Sequence, residues 1–128
     1  MLIRQRGDGD CGCAALSTCL GESYEDTYLA VAKVDPGHRG KNGLHNREVV
    51  AAAKLLGIVL TPTRAYDLDD DDGVLRVRWN DPGKRLGGHF VAVLSGSIHC
   101  PSDGMPLPWR DYLERWGARA GTLLKVTG

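Results

Sequence analysis

A chain of 128 residues is long enough to bury one core of its own, and we expect a single domain over residues 1–128. Sixteen lysines and arginines balance sixteen aspartates and glutamates, so no overall charge draws the chain to nucleic acid or anionic lipid. No apolar run approaches the roughly 18 residues of a bilayer span, and the sequence turns polar by Arg4, which leaves no signal-peptide core. Four cysteines in such a chain read as free thiols, and a cytoplasmic protein is expected.

Met1 to Asp10 reads as loop. Asp10 is a suitable N-cap for a helix over Cys11–Leu20, with Gly21 as its C-terminal stop. A second helix is expected over Ser23–Lys33, with Tyr24, Tyr28, Leu29 and Ala32 at helical spacing. After a turn-rich connection containing His38 and His45, Asn46 caps a third helix, Arg47–Leu56. The period then changes. Ile58–Thr63 is extended and Tyr66–Gly73 is an aspartate-rich loop. Val74–Trp79 alternates as a strand, Asn80–Gly83 is a turn, and Gly88–Leu94 is the strongest strand. Ser95-Gly96 turns tightly into Ser97–Cys100, Pro101 to Pro108 is loop, Trp109–Trp116 is a short helix and Gly121–Val126 a last strand. Helices followed by a run of strands predict an α+β fold with an antiparallel sheet.

Two residues carry the candidate chemistry. Cys11 begins a helix, where the positive end of the dipole favours thiolate, the nucleophilic form. Cys19, among Leu16 and Leu20, reads as core. His89 opens the strongest strand after Gly87-Gly88, and a helix-start cysteine with a strand histidine is a recurrent route to an activated thiol.

Gln5, then Asp10-Cys11-Gly12, then Gly88-His89-Phe90-Val91-Ala92-Val93 resembles the papain-like cysteine peptidases. The nearest resemblance is to the bacteriocin-processing (double-glycine leader) peptidases, with glutamine six residues before the cysteine. The resemblance runs over nearly the whole chain. It implies a compact papain-like fold, a peptide or protein substrate, and no metal or cofactor. It assigns Cys11 as nucleophile, His89 as base and later acid, and Gln5 as an oxyanion donor beside the backbone N–H of Cys11. The sequence departs from that family at the third catalytic position. Cys100-Pro101 stands where the family has Asp-Pro, and Asp103 is the nearest carboxylate.

Several readings stay open. The same residues serve hydrolysis or acyl transfer to an amine. A papain-like fold with impaired chemistry would instead hold a peptide or protein without cutting it. Cys11-x-Cys13 and His99-Cys100 offer thiolate and imidazole ligands, a weaker pattern than the doubled Cys-x2-4-Cys of structural zinc sites. Arg76 and Arg78 form a basic stripe on one strand face, for which a solvent face is an adequate account. Oligomeric state is not encoded in any of these features.

Overall fold

The computed structural model describes residues 11–34, 45–79, 88–100 and 106–127. Among the described residues four helices, α1 (Cys11–Leu20), α2 (Tyr24–Val34), α3 (Asn46–Leu55) and α4 (Trp109–Trp116), accompany six strands. The strands are β1 (Leu60–Thr63), β2 (Gly73–Trp79), β3 (Gly88–Leu94), β4 (Ser97–His99), β5 (Leu107–Pro108) and β6 (Ala118–Val126). They form one antiparallel sheet in the order β1-β6-β2-β3-β4-β5. The fold is α+β, with helices packed on an antiparallel sheet, as the order of helical and alternating segments predicts.

The sheet is buried on both faces. On one face Val74, Phe90, Leu60 and Leu124 meet Ala15 and Leu16 of α1, Ala30 and Val31 of α2, and Val49, Ala52 and Ala53 of α3. On the other, Leu75, Val77, Val91, Val93, Ile98 and Leu123 pack with Cys100 and with Tyr112 of α4. This is why Phe90-Val91-Ala92-Val93 is an unbroken apolar run: alternate side chains enter different cores. Small residues give α1 its close approach to the sheet. Ala14, Ala15, Ser17 and Thr18 are buried, and Thr18 Oγ1 donates to the Ala14 carbonyl at 3.1 Å.

Local chemistry sets the ends. The Asp26 N–H donates to Ser23 Oγ at 3.1 Å, which caps α2. The β3–β4 turn places Ser95 at φ 51° and Gly96 at φ 81°, the left-handed pair that matches the twist of a two-residue hairpin. Asp72 Oδ1 accepts the Ser95 N–H at 2.9 Å and ties that turn to the aspartate loop. Gly73 has no room for a side chain, since a Cβ would overlap the Leu124 carbonyl on the adjacent strand.

Four expectations need correction. Helix α2 spans Tyr24–Val34, one residue later at each end than expected; it buries Thr27, Ala30 and Val31, and Tyr28 and Leu29 are exposed. Tyr24 packs partly buried at the edge of the same core. Helix α3 begins at Asn46 itself, with His45 as N-cap, and Glu48 Oε1 accepts the His45 N–H at 2.8 Å. Strand β6 starts at Ala118, three residues early, because β2 supplies partners to Ala118, Arg119 and Ala120. Leu107–Pro108 pairs with β4 as a short strand inside the expected loop. The N-terminal loop, the connection with His38, the Asn80–Gly83 turn and Asp103 lie outside the described residues.

Candidate active site

His89 is the second residue of β3 and pairs with Val77 of β2. Alternation sends its side chain to the face of Val91 and Val93, away from Phe90. It is 9 % exposed, and burial pushes its pKa from the usual 6.5 down to about 4, because removing the ring from water penalises the charged imidazolium.

The imidazole meets a sulfur. Cys100 Sγ lies 3.4 Å from His89 Nε2, and the Tyr112 hydroxyl donates to the same sulfur at 3.3 Å. Cys100 follows β4, and Tyr112 is on the inner face of α4, so β3, the end of β4 and α4 meet at this sulfur. Cys100 and Tyr112 are both buried, at 1 % and 0 % exposure. The cluster therefore sets a sulfur beside the ring where a carboxylate would have given a strong charged acceptor.

Of the four residues singled out as catalytic, His89 alone has its side chain among the described residues. Cys11 is the first residue of α1, and α1 packs directly on β3, the strand of His89. Gln5 and Asp103 lie outside the described residues, as does the side chain of Cys11. Cys19 is half-buried against the α1–α3 core, and desolvation pushes its thiol up to about 12, with Asp72 adding a smaller push. That thiol is inert at neutral pH.

Sequence reasoning placed Cys100 at the position of the family's aspartate but missed Tyr112 behind it. The signal was present: Trp109, Tyr112 and Trp116 recur at three and four residues, one face of a helix, and a buried tyrosine needs a partner for its hydroxyl. The aspartate loop is also more than a solvated turn. Asp67 Oδ1 accepts the Asp69 N–H and Asp71 Oδ2 accepts the Asp67 N–H, while Asp71 pairs with Lys125 at 3.2 Å. Asp69 Oδ1 accepts the Trp109 indole N–H at 2.7 Å. Among the described residues, no group of three or more His, Cys, Asp or Glu side chains is arranged to hold a metal ion.

No protein-family model matches the chain, and no curated protein matches it. Among solved structures it is similar to the peptidase domain of Streptococcus ComA, described as a bi-functional ABC transporter involved in a quorum-sensing pathway. The match has a TM-score of 0.55 at 20% identity and covers 95% of this chain and 96% of that domain. At that identity the likeness is one of fold: this chain has the fold of a peptidase domain. Among the described residues, no helix is long and apolar enough to cross a membrane.

Proposed function

We propose that the protein is a cysteine-dependent peptidase or amidase acting on a peptide or protein. The observation that supports this best is His89, buried at the head of β3 and held at Nε2 by Cys100, in a peptidase-like fold whose α1 begins with Cys11. With Nε2–H donating to Cys100 Sγ, the lone pair is on Nδ1, the tautomer that takes a proton from a thiol. Cys11 Sγ attacks the amide carbon, and His89 takes the thiol proton and delivers it to the leaving amine. Water then cleaves the thioester and restores the thiol. Gln5 and the Cys11 backbone N–H are the donors to the oxyanion in this reading. Cys100 is a positioning residue that acts through His89, and Asp103 is the alternative orienting group.

A second reading follows from the low pKa of His89. A ring at about 4 is a weak partner for a thiolate, and the same fold would then hold a peptide without cutting it. The pH dependence of Cys11 alkylation, read peptide by peptide by mass spectrometry, separates the two. Reaction near pH 5 that is lost in His89→Gln supports a thiolate–imidazolium pair. Reaction only as pH approaches about 8.5, alike in both proteins, refutes the enzyme reading and leaves the binding one. Cys19 is the internal control and stays unmodified throughout.

A further inference from the structure

The zero net charge conceals a segregation of charge along β2. Asp67, Asp69, Asp70, Asp71 and Asp72 precede its first residue, Gly73. At the other end, Arg76 and Arg78 line a cavity of about 760 Å³ together with Arg47, Arg64 and Arg119. Its remaining described lining is His45, Asn46, Ala120, Gly121 and Thr122, with no carboxylate among them. Three neighbouring strands and the N-terminus of α3 contribute to it. Arg64 follows β1, Arg119 is on β6, Arg76 and Arg78 are on β2, and Arg47 is in the first turn of the helix.

Two features of the backbone are unusual for a bare solvent face. Arg78 and Arg119 are direct cross-strand partners, an arrangement that places like charges opposite each other and costs stability. The β2–β6 register also shifts beside Arg76, where Gly121 and Thr122 together oppose that one residue, a bulge that opens the sheet at the cavity. Among the described residues, none of the five arginines makes an ion pair; Arg76 lies over the Phe90 ring at 5.1 Å. At the far end of β2 the carboxylates of Asp67, Asp69, Asp71 and Asp72 are engaged with backbone amides, Lys125, Trp109 and Arg110.

We infer that this groove binds an acidic, extended peptide segment through two or more carboxylates. That the ligand is a peptide rests on the function proposed above; that it is anionic rests on the groove. The cavity extends over three strands, more than one small anion contacts. Alternate side chains of an extended peptide are spaced about 6.6 Å apart, the spacing of Arg76 and Arg78 on their own strand. Guanidinium groups pair with carboxylates through two parallel hydrogen bonds, a geometry that a single-point cation does not offer. Among its described lining residues His45 is the single aromatic ring, too few for a base-stacking platform, which disfavours RNA. The groove lies at the sheet end that carries His89, since Arg78 pairs with Gly88, the residue before it. It opens on the opposite face, so an acidic segment seated there lies away from the bond at His89 and acts as an anchor.

The test is fluorescence anisotropy with the full chain carrying Cys11→Ala, so that binding is read without cleavage. The probes are a labelled decapeptide with glutamate at alternate positions, its glutamine counterpart, and an RNA decamer. At about 50 mM salt the glutamate peptide is expected to bind about tenfold or more tighter than the glutamine peptide, weakening as salt rises. Arg78→Gln with Arg119→Gln is expected to lose about tenfold, and the paired lysine variant to keep most of the affinity. Equal or absent binding of the two peptides, tighter binding of the RNA, or full displacement by equimolar pyrophosphate overturns the inference. Glutamate-peptide binding in a protein whose Cys11 is not activated leaves the groove standing and refutes only the enzyme.

Discussion

Replacing Cys100 by aspartate tests how His89 is tuned. The sulfur sits 3.4 Å from Nε2, so a carboxylate at that position places a negative charge beside the ring and the Tyr112 hydroxyl within reach to donate to it. A carboxylate that close raises a histidine by about 1–3 pKa units. Starting from about 4, His89 in Cys100→Asp moves to about 5–7. Each unit is about 1.4 kcal/mol in favour of imidazolium, hence about tenfold more thiolate–imidazolium pair until the pair saturates. Alkylation of Cys11 at about pH 5.5 is therefore expected to speed up by about tenfold to a thousandfold. His89→Gln in the same background should abolish the gain. The readout is the second-order rate with iodoacetamide at the Cys11 peptide, with near-ultraviolet circular dichroism as the check on packing. A Cys11 rate within about twofold of wild type in a folded Cys100→Asp protein would falsify the reasoning, because a one-unit rise already predicts tenfold.

Acid stability follows from the same ring. His89 is held neutral by burial, so its folded pKa lies below the unfolded value, and the unfolded chain binds the extra proton between pH 6.5 and about 4. Its contribution is complete above pH 6.5, declines as pH falls, and is gone below about 4, a loss of about 3 kcal/mol. His99 shifts in the same direction from partial burial and adds to the trend. Urea unfolding at pH 7 and 4.5 measures this, and a curve for His89→Gln as steep as wild type would contradict it. Arg119→Gln removes a like-charge cross-strand partner of Arg78 and is expected to raise stability by about 0.2–1 kcal/mol. Thermal melts should show this as about 1–4 °C, and a lower melting temperature would mean the pair is not repulsive.

The sequence alone determined the local events. Cys11–Leu20, Gly88–Leu94 and Trp109–Trp116 lie where the sequence pattern, its β-branched runs and its glycines put them, because those signals act over a few residues. The Ser95-Gly96 turn was legible for the same reason. The resemblance pointed to Cys100 beside the histidine, but the distance of Cys100 from His89 and the Tyr112 hydroxyl behind it belong to the fold. They need β3, β4 and α4 brought together, and Tyr112 is far from His89 in the chain. Helical spacing over α2 was legible, but which residues face inward was not: Thr27, Ala30 and Val31 are buried, and packing against α1 and α3 decides that. The arginine groove is the clearest case of what only the tertiary structure decides. Arg47, Arg64, Arg76, Arg78 and Arg119 come from separate segments of a chain whose charges sum to zero. Charge is a property of single residues and is read by counting. A field is a property of where they meet, and the register of β6 on β2 sets that.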